Sequence, residues 1–231
     1  SRRQRQMCIR DSRPLAPNMP SREQNKILVK DRIIQATQSL LDNHKSEGIS
    51  AISSRQIALD AGISYQTLYN HYSSQAQIYA ALLKEKSAPL SLQLDLEVKN
   101  YEQDLAATFA VIDTQRLAHI TPADKPIWQF IANNMHTNVE STVHGEGTEE
   151  TSLISILDPQ VYERTHRLLH MAQGMGHLQT QIDLQLLAYT LICLTDYALT
   201  RYLRSSKVSK GPILQTTKEQ YALVLSNLGR A

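Results

Sequence analysis

Ser53-Ser54-Arg55-Gln56-Ile57-Ala58-Leu59-Asp60-Ala61-Gly62-Ile63-Ser64-Tyr65-Gln66-Thr67-Leu68-Tyr69-Asn70-His71-Tyr72 decides how this chain is read. Two short helices fit it. Ser53 caps the first, Gly62 permits a tight turn, and Ser64 caps the second. Ile57, Ala58, Ala61, Ile63 and Leu68 supply a small shared core. Two helices of about two turns joined by a glycine-containing turn make a helix-turn-helix. A plain hairpin inside a bundle is the alternative. Against it, Tyr65, Gln66, Thr67, Tyr69, Asn70 and His71 crowd hydrogen-bonding groups onto one short element, too many to bury unsatisfied.

Working outward, Ile27, Ile33, Ile34, Thr37, Leu40 and Leu41 recur at spacings of three and four and predict a preceding helix, with Gly48 as its stop signal. Ser73-Ser74 offers a cap for a following helix that carries Ile78, Tyr79, Leu82 and Leu83. Before this unit, residues 1–25 hold six arginines and Pro14, Pro17 and Pro20. That composition denies a helix and gives little to bury, so a flexible basic arm is expected. Either it touches DNA or it is a solvated tail. The boundaries that follow are 1–25 for the arm, 26–73 for the helix-turn-helix domain and 74–231 for a second domain.

The average charge of +2 hides an asymmetry. Residues 1–75 carry 11 basic and 6 acidic side chains, residues 76–231 carry 13 and 16. A basic end on a mildly acidic body suggests that one end faces a polyanion. A short helix that presents Tyr65 and Gln66 can set them on base edges in the major groove, Gln on adenine and Tyr against a thymine methyl. Arg55, on the preceding helix, suits a guanine or a phosphate. Thr67, Tyr69 and His71 can donate to phosphates, and the helix start near Ser74 offers amides to an anion. The candidate DNA-binding residues are Ser53, Arg55, Tyr65, Gln66, Thr67, Tyr69, Asn70, His71 and Ser74.

The run Ile57-Ala58-x-x-Ala61-Gly62-Ile63-Ser64-x-x-Thr67-Leu68-Tyr69-x-His71-Tyr72-x-Ser74 resembles the DNA-binding domain of TetR-family transcriptional regulators, over residues 27–85. Two departures stand out. Gln75-Ala76 replaces the family's usual Lys and acidic residue, which removes a cation from one phosphate contact, and Tyr72 replaces the commoner Phe. The resemblance implies an all-α chain with a helical effector-binding and dimerisation domain. It also implies a homodimer on a palindromic operator, a DNA surface at Arg55, Gln66, Thr67, Tyr69 and His71, and most often repression relieved by a small, largely apolar effector. An activator or a chromosome-organising protein without an effector is the alternative. A helical ligand-binding or enzymatic protein with a vestigial helix-turn-helix is a further rival.

Residues 90–98 alternate Leu90-Ser-Leu92-Gln-Leu94-Asp-Leu96-Glu-Val98, a strand pattern. A lone strand would lack a pairing partner, and the implied all-α body favours helix with a break or kink at Pro89. Further helices are expected near 101–119, 124–137, 159–174, 183–205 and 214–229, with a mobile loop at 138–151. Segment 183–205 is apolar almost all round and so needs cover on more than one side. The resemblance implies that it and 214–229 meet their symmetry mates in a dimer; a monomeric core helix is the other possibility. Two-fold pairing would place half-sites about 34–36 Å apart.

Glu163, His166 and His170 have a metal-ligand spacing but lie opposite the stripe of Val161, Thr165, Leu168, Ala172 and Met175, so a solvated face is expected and no metal. Asp196 is the one charge between Asp183 and Arg201 and needs a partner if buried, either a structural group or an effector cavity. Phe109, Trp128, Ile131, Met135, Tyr189, Cys193 and Asp196 are the candidate effector residues. No phosphate loop, nucleophile elbow or His-Glu-x-x-His is present, so no enzyme and no cofactor is expected. Cys8 and Cys193 make no disulfide framework or zinc module. No uncharged stretch is long enough to span a bilayer, the Arg-rich start has no apolar signal run, and a cytoplasmic protein is expected. Because the chain starts at Ser1, removal of an initiator Met or an upstream piece is also expected.

Overall fold

A computed structural model describes residues 21–44, 48–135, 152–205, 208–226 and 228. Among them the regular structure is eleven α-helices and one 3₁₀ turn, Ile49–Ala51, with no strand. Residues 1–20 of the expected arm and the loop expected at 138–151 lie outside the described residues.

The first domain contains α1 (Arg22–Asn43), α2 (Ser54–Asp60) and α3 (Tyr65–His71). α1 starts within the stretch expected to be arm. Just past Pro20, Ser21 and Gln24 form a capping box, each side chain bonding the other's backbone N–H. Its first turns project beyond the core, so Ile27 is exposed while Ile33, Ile34, Thr37 and Leu40 are buried. Ser53 and Ser64 cap α2 and α3 as the sequence predicts, with their hydroxyls accepting from Gln56 and Thr67 N–H. Gly62 takes φ +64° between them, and the Ile63 N–H returns to the Ala58 carbonyl at 3.0 Å. Ile57, Ala58, Ala61 and Leu68 pack on Ile33, Ile34 and Leu40; Ile63 is half-buried at the edge.

The second domain follows with α4 (Gln75–Lys86), α5 (Ala88–Lys99), α6 (Leu105–His119), α7 (Lys125–Asn134), α8 (Leu153–Leu157), α9 (Val161–Gly174), α10 (Leu184–Arg204) and α11 (Lys210–Ser226). α4 belongs to both domains: Ile78 and Leu82 enter the first core, Tyr79, Ala80 and Leu83 the second. Gln75, where the family pattern has a cation, is half-buried instead. Its Nε2 donates to the Ile52 carbonyl at 2.9 Å and to the Tyr79 hydroxyl at 2.8 Å. At the other end of α4, Lys86 pairs with Asp124 at 3.1 Å, just ahead of α7.

Residues 90–98 are helical. Pro89 sits in the first turn of α5, where its missing N–H costs nothing, and it starts the helix rather than kinking one. The alternating pattern is sampled at every fourth residue: Leu90, Leu94 and Val98 are buried, while Leu92 and Leu96 are 71% and 49% exposed. Two other helix ends differ from expectation for local reasons. α6 begins at Leu105 because the Asp104 carboxylate accepts the Ala107 N–H at 2.9 Å, and α11 begins four residues early with Pro212 in its first turn. α6 packs on α11, α9 on α10, and α7 and α8 join α10 to α4. No helix among the described residues is long and apolar enough to cross a membrane.

Candidate nucleic-acid interface and buried polar core

α3 lays Leu68 into the first core and turns the rest of its surface outward. Tyr65, Gln66, Tyr69 and Asn70 are exposed; Thr67 and His71 are half-buried beside them. The exposed residues form two i, i+4 pairs. Tyr65 and Tyr69 meet edge to face at 4.7 Å with hydroxyls 3.1 Å apart, and Gln66 Nε2 donates to Asn70 Oδ1 at 3.2 Å. Arg55 of α2 lies over the Tyr65 ring at 5.7 Å. One continuous polar ridge results, with a guanidinium at one end.

At the other end, His71 Nδ1 is buried without a hydrogen-bond partner. Burial lowers the His71 pKa, and Lys30 and Lys26 of α1 lower it further. Arg22, Lys26, Asn70 and His71 line one open groove beside the ridge. Arg22 falls within the expected basic arm, and Lys26 and Lys30 were not singled out from sequence. The signal was present as Arg22, Lys26 and Lys30 at i, i+4, i+8, which is one helix face. Ser53 and Ser74 cap helices, the latter accepting the Gln77 N–H at 3.2 Å.

A second concentration of polar groups is sealed inside the second domain. Asp158 accepts from Arg116 Nε at 3.2 Å and Nη2 at 2.6 Å, and on its other oxygen from Arg164 Nη1. Arg116 Nη1 donates to Asp113 at 2.9 Å, and the Tyr221 hydroxyl donates to the second Asp113 oxygen. The Thr195 and Tyr221 hydroxyls share a further bond. Arg164 Nη2 reaches the Ser91 carbonyl at 3.1 Å and hydroxyl at 2.9 Å on α5. All of these side chains except Ser91 are buried.

Burial alone would raise the Asp158 carboxyl, but the Arg116 and Arg164 guanidiniums outweigh it and hold it below the ordinary carboxylate value. Asp113 is pushed up, burial exceeding the help of Arg116 and Tyr221. Burial, then the Asp113 charge, raises Tyr221, so its hydroxyl stays protonated and donates. Sequence reading missed this network. Its signal was Asp113 and Arg116 on the same stripe as Phe109 and Ile112, two charges on an otherwise apolar face.

Beside Asp113, Arg116 and Thr195 lies a void of about 10 Å³, walled mainly by apolar side chains. None of the seven candidate effector residues lines it. Phe109 is buried and tilts onto the Tyr221 ring at 5.4 Å; Trp128 and Ile131 are buried; Met135, Tyr189 and Cys193 are half-buried. Asp196 is buried and accepts the Ile154 N–H at 2.9 Å, so it caps α8 and has the structural partner that its burial requires. Of the spaced trio, Glu163 and His170 are exposed, and His166 stacks on Tyr162.

No family model and no curated protein matches the sequence. Solved structures match over most of the chain. A TetR-family transcriptional regulator from Pectobacterium atrosepticum is 15% identical with a TM-score of 0.61, covering 92% of this chain and 99% of that one. FadR of Thermus thermophilus, a TetR-family repressor solved with lauroyl-CoA, is 16% identical with a TM-score of 0.60, covering 87% and 96%. RolR, solved with resorcinol, is 19% identical with a TM-score of 0.57, covering 90% and 91%. The polar ridge on a glycine-turned helix pair, joined through a shared α4 to an all-helical second domain, is the fold of the TetR-family transcriptional regulators.

Proposed function

We propose that this chain is a ligand-responsive TetR-family transcriptional regulator, a cytoplasmic homodimer that represses from a palindromic operator and lets go when a small molecule enters its second domain. The observation that carries the reading is the ridge of Tyr65, Gln66, Tyr69 and Asn70, exposed and flanked by Arg55. These groups match base edges and phosphates, and the α1 cations supply the sequence-independent part of the affinity.

A two-turn helix reads only a few base pairs, so two copies are needed for a usable site. The surface for pairing is at hand. Leu186 and Tyr197 of α10 and Leu223 of α11 are 63%, 61% and 71% exposed in the single chain, on the helices expected to form the dimer. FadR and RolR are each solved with a small molecule, which supports an effector here. α4 supplies the coupling, because a shift that repacks Tyr79 and Leu83 also moves Ile78 and Leu82 under the recognition unit. The effector must bind the DNA-incompetent arrangement more tightly, since equal affinity shifts nothing.

Selection from a random duplex library tests the reading. A palindromic motif with half-sites about one helical turn apart is expected. Gln66→Ala should weaken that site by about 1–3 kcal/mol while leaving random-sequence binding unchanged. Recovery of no motif would remove the proposal. A reporter driven from the recovered site then separates repression from activation.

A further inference from the structure

The void beside Arg116 is bounded by α6, α8, α10 and α11, and its two sides differ in chemistry. Asp113, Arg116, Thr195 and Thr217 form the polar side; Leu117, Leu157 and Leu199 are among the residues of the apolar one. A guanidinium carries five N–H donors. Among the described residues Arg116 spends three of them, two on Asp158 and one on Asp113. Two N–H donors therefore remain unspent on the polar side, next to a carboxylate and a hydroxyl that can take a proton donor.

The formal charges set the class of guest. Arg116 and Arg164 oppose Asp113 and Asp158, two against two and all buried, and at the edge of the network Asp95 lies 3.4 Å from Arg164 and is matched by Arg167. A carboxylate or ammonium guest would add a buried charge without a counter-ion, which is costly. A purely hydrocarbon guest would leave the spare Arg116 donors facing oil. One neutral hydroxyl answers both demands: its oxygen accepts from Arg116 and its O–H donates to Asp113 or Thr195.

Resting on the regulator reading above, we infer that this void is the seat of the effector and that the effector is a small neutral hydroxyl compound, a phenol or an alcohol. Its hydrocarbon body lies against Leu117, Leu157 and Leu199. At about 10 Å³ the void admits a single water, so a ring enters only by moving the walls apart. Two of those walls, Ile154 and Leu157, belong to α8, which packs on α4. Entry of the guest therefore pushes on the helix that carries the recognition unit.

Isothermal titration of the full-length protein without DNA, using phenol, toluene and benzoate as probes, tests the class, and 4-bromophenol soaked into crystals tests the place. Phenol is expected to bind saturably and at least tenfold more tightly than toluene or benzoate. Bromine anomalous signal is expected between α6, α10 and α11. Thr195→Val, checked for its fold by circular dichroism, should weaken phenol about three- to tenfold, the loss of one hydrogen bond. Toluene or benzoate binding as tightly as phenol, bromine located elsewhere, or no binding by any probe would each overturn the inference while leaving operator recognition intact. Failure of the duplex selection is a separate readout, and it brings down the regulator reading itself.

Discussion

The Asp196 carboxylate of α10 accepts the Ile154 backbone N–H at 2.9 Å and so closes the start of α8. α8 touches both α10 and α4, which puts this single bond on the route between the second core and the recognition unit. Burial raises the Asp196 carboxyl; the Ile154 and Leu153 amides and Arg204 pull the other way and do not cancel it.

Two replacements at Asp196 should therefore behave differently. Asp196→Asn keeps an acceptor for Ile154 and sheds the buried charge, so stability at pH 7 should change by less than about 1 kcal/mol. Asp196→Leu strands the amide and should cost about 1–3 kcal/mol, read from the urea midpoint. The pH dependence gives a second check. With the folded carboxyl above its unfolded value, the folded state holds the proton more tightly, so this group's contribution to stability falls as pH rises between the two values. Asp196→Asn should lack that slope.

Asp158 titrates in the opposite sense. Its folded carboxyl lies below the ordinary 3.8, so its contribution is present above that value and is lost as pH falls through the folded one. Asp158→Asn leaves Arg116 and Arg164 facing each other in the core without their shared counter-charge. A loss of about 3–5 kcal/mol is expected, seen as a strongly reduced thermal midpoint.

Gly62→Ala isolates a conformational cost. An added Cβ would meet nothing within 4 Å, yet the backbone stands at φ +64°. The expected loss is about 1–2 kcal/mol, all of it backbone strain, with the polar ridge of α3 still in place. Chemical denaturation and the selected duplex read these two properties separately.

Operator affinity should depend on pH through His71. Its pKa is lowered in the free protein by burial and by Lys30 and Lys26, and a phosphate placed at the groove would raise it. Binding then takes up a proton, so affinity strengthens as pH falls toward and below the ordinary imidazole value. His71→Gln should flatten that slope in fluorescence anisotropy titrations.

Tyr197→Glu and Leu223→Glu place charges on the apolar faces of α10 and α11 that the single chain leaves open. Light scattering should show monomers for both, with normal helix content, and the selected operator should then be bound weakly. A dimer that survives both substitutions would put the pairing surface elsewhere.

The local code was readable from the residues. Ser53, Gly62 and Ser64 announce two helices and the turn between them because caps and a positive φ are properties of single positions and their nearest neighbours. The exposed ridge followed from the same stretch, since only Leu68 has an apolar surface to bury among so many hydrogen-bonding groups. Leu90, Leu92, Leu94 and Leu96 mark the edge of that legibility: a two-residue alternation is compatible with either element, and packing of every fourth residue against α6 chose the helix.

What remained for the tertiary structure to decide was partnership across distance. Asp113, Asp158 and Tyr221 are far apart in the chain; the packing of α6 on α11 brings Tyr221 to Asp113, and Arg116 links both to Asp158 at the end of α8. The seven effector candidates lie on helix faces whose period the sequence sets, whereas the void lies beside two charges on the apolar stripe of α6, a position that only helix crossing defines. Periodicity tells a residue which way to face, through interactions with neighbours one turn away; which group it then finds there depends on the crossing of helices that the sequence does not bring close.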